Sequence, residues 1–259
     1  MAEKETRNEP KDIIEAIPEE LEKLDLEVEE NIEDLDAGDK SQEIVSSWSP
    51  KTRLGKQVKE GKEKDIDKIL ESGKRILEAE IVDSLLPLSS DLILIGQAKG
   101  KFGGGKRRAW RQTQKKTMEG NVLSFSAMAV IGDRKGHVGV GFGKASETLP
   151  AREKALRNAK LNIMKVTLGF ESPEEEKDKT NPHTVPFKVE GKCGSVRIFL
   201  WPAPRGTGLV AGAEVKKILS LAGIKDAYTR TYGHTKTTFN VAKACINALE
   251  KTTKMRFVK

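Results

Sequence analysis

The sequence has few of the residues from which disulfide frameworks, metal sites and catalytic triads are built. It holds 2 cysteines and 3 histidines among 259 residues. Two cysteines are too few for a disulfide framework. The histidines, His137, His183 and His234, lie far apart and show no metal-ligand spacing. Nothing resembles a nucleophilic triad or a pair of catalytic carboxylates in the basic part of the chain. We therefore expect a reduced, cytosolic protein that is not an enzyme and uses no cofactor or metal.

Long apolar runs are also missing. No run approaches the ~20 residues that a membrane-spanning helix needs. The N-terminus is acidic, whereas a secretory signal begins with a basic region followed by an apolar one. We expect no membrane partner and no targeting segment of that kind.

Charge is abundant and very unevenly distributed. Residues 1–47 hold 17 Asp or Glu and 5 Lys or Arg, a net charge of −12, whereas residues 48–259 carry +19, which leaves +7 for the whole chain. A body this basic indicates a polyanionic partner such as nucleic acid. The acidic segment is expected to be disordered by itself, either as an interaction tail or as a plain solvated extension.

The most informative stretch is the basic segment 99–116. It contains eight Lys or Arg residues, four glycines, Phe102 and Trp110, and no acid. Eight cations cannot leave water without partners, but they can neutralise phosphates while the two rings stack on bases. The alternative is a solvated flexible loop, and the mixture of glycine, aromatic and basic residues favours nucleic acid.

Shifts in composition predict the order of the domains. Residues 65–80 have the apolar spacing of a helix, 92–95 reads as a strand, and 123–131 and 137–143 alternate as strands do. The next segment, 146–168, is predicted as a helix with a buried stripe at Ala151, Ala155, Ala159, Ile163 and Val166. The predicted organisation is an acidic extension at 1–47, a helical region at 48–98, a basic loop and α+β domain at 99–170, an acidic linker at 171–182, a second α+β domain at 183–252 and a basic tail at 253–259.

The second domain is predicted from the same two periodicities. Strands are expected at 184–189, 194–201 and 226–232, with Tyr228 and Tyr232 packed inside, and helices at 210–222 and 237–249. The loop 202–208 is predicted to lie just before the first of these helices, where backbone amides attract anions. It is either a phosphate clamp or an ordinary loop whose glycines satisfy the turn.

Two glycine patterns that resemble nucleotide sites fail on inspection. A Walker loop ending at Lys144 would require glycine at position 138, which is Val138, and a hydroxyl residue at Ala145. A dinucleotide fingerprint would need glycine at Lys144. The glycines of 137–143 are better explained as thinning a strand so that RNA or a neighbouring element can approach.

Several motifs in the right order resemble one family, the universal small-subunit ribosomal protein S-five family. The motifs are the run 120–147, Pro-His-Thr-Val-Pro at 182–186, Gly-Ser-Val at 194–196, Pro-Ala-Pro-Arg-Gly-Thr-Gly at 202–208 and Leu-Ala-Gly-Ile at 221–224. Ser-Trp-Ser-Pro-Lys-Thr-Arg-Leu-Gly-Lys at 47–56 and Lys-Lys-Thr at 115–117 resemble the archaeal and eukaryotic branch. The bacterial pattern has a glycine pair and an arginine where this chain has Glu-Gly-Asn at 119–121, which makes phosphate contact at Glu119 doubtful.

The resemblance implies a fold, a role and a set of partners. The fold is α+β: a domain similar to the double-stranded-RNA-binding fold, then the S-five C-terminal domain of β-β-α-β-α order. The role is structural, beside the central pseudoknot of small-subunit rRNA between head and body, with an effect on translational accuracy. The implied partners are rRNA, mRNA in the tunnel through which it enters, and the neighbouring proteins numbered three, four and eight. No small-molecule substrate is expected.

Composition, loop geometry and the resemblance together give fifteen candidate RNA-binding residues. They are Lys99, Lys101, Lys106, Arg107, Arg108, Trp110, Arg111, Lys115, Lys116, Gly120, Lys144, Arg205, Gly206, Thr207 and Gly208. Two rival functions remain at this point. A free double-stranded-RNA-binding regulator would leave residues 184–250 unexplained. A phosphotransferase, suggested by kinases that share the second fold, lacks a phosphate loop and a general base, and analogy of fold is a weak argument for function.

Overall fold

The computed structural model describes residues 48–97, 107–171 and 181–254, and residues 49–254 among them belong to one compact unit that begins at Ser49. The predicted disordered extension at 1–47, most of the linker and all but the first two residues of the basic tail predicted at 253–259 lie outside the described residues. The elements in chain order are α1 (Arg53–Lys59), α2 (Ile66–Glu71), α3 (Glu80–Leu85), β1 (Ser89–Leu92), β2 (Trp110–Thr117), β3 (Gly120–Gly132), β4 (His137–Ala145), α4 (Thr148–Leu161), β5 (Ile163–Lys165), β6 (Val189–Cys193), β7 (Val196–Trp201), β8 (Leu209–Val210), α5 (Ala213–Leu221), β9 (Ala227–Tyr232) and α6 (Thr238–Lys254).

The first sheet is built around the long strand β3. One edge of β3 pairs with β1 near its C-terminal end and with β2 near its N-terminal end, and the other edge pairs with β4, which in turn pairs with β5. All of these pairs are antiparallel. The alternation of apolar and small residues therefore predicted β3 and β4 correctly.

Helix α4 lies so close to the first sheet that only glycine fits beneath it. A Cβ atom added to Gly141 would lie 2.1 Å from the carbonyl oxygen of Ala155 and from the amide nitrogen of Ala159. Gly139 and Gly143 meet the α4 backbone in the same way, at 2.4 and 2.2 Å. The glycines thus admit a neighbouring helix, which is one of the two explanations that the sequence left open. The alanine stripe is buried as predicted.

The second sheet has the strand order β6-β7-β9-β8, antiparallel except for the β8–β9 pair. Helices α5 and α6 cover one face of it and also contact the first sheet. One apolar cluster therefore runs through both predicted domains, and it includes Met128 and Val130 from the first sheet and Ile198 and Leu200 from the second. The predicted β-β-α-β-α order is confirmed with one addition, the two-residue strand β8 before α5.

Several predicted boundaries are wrong for identifiable reasons. The helix predicted over 65–80 ends at Glu71, because Gly73 adopts φ +69° and the chain leaves helical geometry there. The helix predicted over 146–168 ends at Leu161, because Ile163–Lys165 pairs with β4 as a strand. The strand predicted at 184–189 begins only at Val189.

The ends of the linker meet. Gly169 and Thr184 form an isolated antiparallel bridge, and the amide of Gly169 donates to the carbonyl of Thr184 at 2.8 Å. The domain boundary predicted at 171–182 lies between these two residues along the chain and stays a prediction. Within 48–97, 107–171 and 181–254, no helix has both the length and the apolar character needed to cross a membrane.

Candidate nucleic-acid interface

The most exposed basic feature of the described chain is a two-stranded ribbon made by β2 and the first residues of β3. From Phe125 onward β3 pairs with β4, whereas Gly120–Ser124 pairs only with β2 among the described residues. Five residue pairs at about 3.4 Å per residue carry the ribbon about 17 Å past the sheet. Met118 stands fully exposed in its two-residue turn, and Gly120 closes the turn at φ +121°.

The ribbon corrects the prediction that 99–116 is one continuous loop. Trp110–Thr117 is a strand in which every residue except the last is exposed. Charge repulsion between neighbouring lysines suggested an irregular segment, but the backbone of β3 supplies a complete antiparallel partner. Residues 114–121 form the tip of this ribbon.

Pairing register sorts the candidate cations onto the two faces of the ribbon. Arg111 lies opposite Ser126, and Ser126 lies opposite Lys144 of β4, so the three form one cross-strand row. The Ser126 hydroxyl donates to the carbonyl of Arg111 at 3.3 Å and holds this row in place. Lys115 shares the face of Arg111, because side chains two and four residues apart on a strand point the same way. Lys116 points to the opposite face.

Trp110 stands on the same face as Lys116. It pairs with Ala127, which is buried against α4, and its indole remains 41% exposed. The structure therefore brings Arg111, Lys115 and Lys144 to one face, and Trp110 and Lys116 to the other. A ribbon with cations on both faces can lie in a groove and contact phosphates on both sides of it.

The ribbon cations differ from other lysines of the fold in having no acidic partner. Elsewhere Lys160 binds Asp83 at 2.7 Å, and Lys217 binds Asp91 at 3.0 Å. Among the residues that the structure describes, Arg111, Lys115, Lys116 and Lys144 form no ion pair. An unpaired surface cation keeps its full charge for a polyanion, because no protein carboxylate competes for it.

Part of the basic segment lies outside the described residues. This applies to Lys99, Lys101 and Lys106. Arg107 and Arg108 lead into the ribbon with exposed side chains, and the Arg108 carbonyl accepts a hydrogen bond from the Gly96 amide at 2.8 Å. These two arginines therefore stand at the base of the ribbon.

The loop with Arg205, Gly206, Thr207 and Gly208 does not lie directly at a helix N-terminus, so the phosphate clamp, one of the two explanations that the sequence left open, lacks the helix amides that suggested it. Strand β8 separates it from α5, which begins only at Ala213. The amide of Gly208 already donates to a carboxylate oxygen of Asp226 at 2.7 Å. The Arg205 side chain is exposed and donates to the carbonyl of Asn181 at 3.2 Å. Gly206 and Gly208 have φ of +82° and +70°, so the turn itself explains both glycines.

An electrostatic clamp fixes α2 to the first sheet. His137 contacts Asp133 through Nδ1 at 2.6 Å and Asp67 of α2 through Nε2 at 2.9 Å. Lys165 adds a contact to Asp67 at 3.1 Å. The hydrogen bond with Asp133, followed by the one with Asp67, raises the pKa of His137 above its ordinary value of 6.5 against the effect of burial. Burial by itself would raise the pKa values of Asp133 and Asp67, but their hydrogen bonds with His137 help to lower both.

In the described part of the chain, two further side chains that could do chemistry, Cys245 and His183, have structural positions. No group of three or more His, Cys, Asp or Glu there has the geometry to hold a metal ion. Cys245 is buried on α6, and burial raises the pKa of its thiol to about 12. His183 lies 3.0 Å from Asp226 in the interior.

Sequence reasoning missed a second surface with cations and rings, on the outer face of the second sheet. Tyr228 and Tyr232 were predicted to pack inside, but they are 41% and 44% exposed. The sequence signal for this surface is the alternation of side chains along 197–201 and along 228–232, since it places every second residue of each strand on one face of the sheet. What the alternation could not indicate is that α5 and α6 both pack on the opposite face.

The fold and the ribbon together define a class: a two-sheet α+β protein that presents unpaired cations to a polyanion. Comparison with known protein families is more specific. The family model of ribosomal protein S5, N-terminal domain, matches residues 109–167, and that of ribosomal protein S5, C-terminal domain, matches residues 191–258.

Individual relatives agree over most of the chain. It is 48% identical over 213 residues to small ribosomal subunit protein uS5 of Nanoarchaeum equitans, which covers 82% of this chain and 90% of the relative. Identity to uS5 of Staphylothermus marinus is 46%, over 82% of this chain and 92% of that one. For uS5 of Methanocaldococcus jannaschii it is 45%, over 80% and 88%. The chain belongs to the ribosomal protein S5 family, whose members are structural proteins rather than enzymes.

Proposed function

We propose that this protein is a structural constituent of the small ribosomal subunit in the cytoplasm and binds rRNA at the junction of head and body. In this proposal it helps to line the tunnel through which mRNA enters and supports translational accuracy. Its protein neighbours are those numbered three, four and eight. The relatives that match most of the chain carry the name small ribosomal subunit protein uS5, which supports membership of that particle.

The observation that carries rRNA binding is the β2–β3 ribbon. It extends past the sheet, presents Arg111, Lys115 and Lys116 with no acidic partner among the described residues, and buries almost none of its surface. A monomeric fold gains little from such a ribbon, because exposed strands contribute few packing contacts. A polyanion releases counterions when it binds these cations, and that release supplies affinity.

Two separate features make the protein suited to fixing the shape of folded RNA. The clamp of His137, Asp133 and Asp67 fixes α2, and the close contact between α4 and β4 makes the first sheet rigid. A ribbon that projects from a rigid sheet can hold RNA helices in a defined orientation. Contacts to phosphate and sugar position RNA without reading its sequence.

Sucrose-gradient sedimentation of a native lysate tests this function. We expect the full-length protein to migrate with small subunits and with translating ribosomes, and to stay there after a high-salt wash. Recovery mainly at the top of the gradient would contradict the proposal and favour a free double-stranded-RNA-binding regulator. Stabilisation of the protein by a nucleotide would instead favour the alternative function of a phosphotransferase.

A further inference from the structure

The outer face of the second sheet is open to solvent and lined with rings and cations. In the register of β7 and β9, Trp201 lies opposite Tyr228, Phe199 opposite Arg230, and Arg197 opposite Tyr232. Residues directly opposite one another share a face of the sheet. The intervening residues of β7, Ile198 and Leu200, are fully buried on the other face beneath α5 and α6. The outer face is therefore a regular face of the sheet, set by the alternation of side chains along β7 and β9.

The rings on this face form one connected cluster. Phe199 and Trp201 are stacked with centroids 5.8 Å apart and an interplanar angle of 25°, and Tyr232 meets Phe199 edge to face at 5.6 Å. Ser195 and the cluster line a concave site of about 570 Å³. This volume lies in the range of about 300–1,000 Å³ that is typical of sites for small ligands. The site has room for one planar base on the exposed ring surface.

The cations of the face are held over the rings. Lys188 Nζ lies 5.2 Å from the centre of Trp201 and 5.6 Å from that of Phe199, and Arg230 Cζ lies 5.0 Å from the centre of Tyr232. In the part of the chain that the structure describes, Lys188, Arg197 and Arg230 have no ion-pair partner. Rings hold Lys188 and Arg230 by cation–π attraction, which leaves the outer side of each of these two cations open to an anion.

The balance of charge on the face favours an anionic occupant. Lys192 lies opposite Arg197 and adds a fourth cation, and among the described residues of β6, β7 and β9 on this face the one acid is Glu190, opposite Phe199. A protein partner with a plain apolar surface would leave these cations buried and unpaired, at a large cost in free energy. A nucleotide matches both parts of the face, because its base is planar and its phosphate is negative.

We propose that this face, defined by Lys188, Arg197, Phe199, Trp201, Arg230 and Tyr232, binds unpaired RNA nucleotides. One base stacks on Trp201 and Phe199, and the adjoining phosphates lie against Arg197 and Lys188. A duplex does not fit, because its bases are already stacked and paired. The proposal rests on the proposed function only in taking RNA as the partner. It adds a second surface, separate from the ribbon, with a different preference.

Fluorescence anisotropy with a labelled ten-nucleotide adenosine RNA and a twelve-base-pair RNA duplex tests the proposal on the full chain. We expect Trp201→Leu to weaken decamer binding about tenfold or more, since stacking on an aromatic ring is lost. Phe142→Leu, at an exposed ring on β4 that belongs neither to this face nor to the candidate RNA-binding residues, is the matched control and should leave the decamer affinity within about twofold. Circular dichroism and thermal unfolding check that each variant is folded.

A second variant keeps the test decisive if Trp201→Leu does not fold. Arg197→Gln with Arg230→Gln alters exposed side chains only, and we expect it to weaken the decamer and lower the salt dependence of its binding. Loss of duplex binding in ribbon variants with decamer binding intact would separate the two surfaces. Equal decamer affinity in wild type and in both face variants would overturn the proposal. If those variants instead lost a cross-link to a neighbouring protein in the assembled particle, the face would be a protein-docking surface and the RNA proposal would be wrong.

Discussion

The unpaired cations of the ribbon make a quantitative prediction about salt. Replacing Arg111, Lys115 and Lys116 together by Gln removes three charges that have no acidic partner among the described residues. Each phosphate contact contributes about 0.9 to the slope of log K against log salt for a duplex and about 0.7 for a single strand. The variant slope should therefore be shallower by about 2 to 3. Over a fourfold rise in salt, a slope difference of this size means that the variant loses about 20- to 40-fold less affinity than the wild type.

Filter binding to transcribed small-subunit rRNA, between about 50 and 200 mM salt, measures these slopes. The matched control is Lys62→Gln with Lys68→Gln and Lys254→Gln, which removes the same charge from three exposed lysines that already bind carboxylates. Exposed ion pairs of this kind contribute little to stability. The control should leave the slope within about 0.5 of wild type. Equal slopes in wild type and the ribbon variant would refute the assignment of the ribbon as a phosphate-binding surface. Equal effects of the two triple variants would show that only net charge matters.

Three further predictions concern the scaffold. Gly141→Ala places a methyl group against the α4 backbone and should lower the free energy of unfolding by about 3 kcal/mol, whereas Gly212→Ala, which meets nothing within 4 Å, should change it by less than about 0.5 kcal/mol in urea titration. His137→Gln should lower the free energy of unfolding by an amount on the order of 1 kcal/mol between about pH 4 and 6.5. Because the pKa of His137 is raised in the folded state, this difference in stability between wild type and variant should shrink as the pH rises through the folded histidine pKa. Because the pKa values of its two carboxylate partners are lowered, the difference should also shrink as the pH falls into the acidic range. A difference in stability independent of pH would contradict the clamp. A thiol reagent should label Cys193 in the native protein and Cys245 only after denaturation, which mass spectrometry distinguishes.

Local sequence patterns correctly predicted those elements in which the spacing of apolar residues matches the face that packs against the core. Strands β3 and β4 follow from alternation, and the stripe Ala151, Ala155 and Ala159 follows from helical spacing. The same helical spacing continues to Ile163, so the sequence predicted a helix that runs past its actual end at Leu161. Ile163 belongs to a strand because β5 pairs with the edge of β4 that β3 does not occupy. Pairing of this kind is a tertiary feature that helical spacing does not show.

The candidate interface divides in a similar way. The richness of 99–116 in cations could be read directly, but its pairing with β3 could not, because like charges in sequence argue against a regular strand. The loop at 204–208 was placed before a helix because β8 has only two residues, too few to produce a pattern. The outer face of the second sheet was missed because alternation shows which residues share a face, while the helices that cover the other face decide which one is exposed.

We propose above that the β2–β3 ribbon binds rRNA at the junction of head and body in the small subunit. Cryo-electron microscopy of small subunits purified through a tag on this protein tests this contact directly. We expect density for the ribbon against the rRNA backbone, with Arg111, Lys115 or Lys116 within hydrogen-bonding distance of phosphates. A ribbon that points into solvent, or that contacts only other proteins, would contradict rRNA binding by the ribbon.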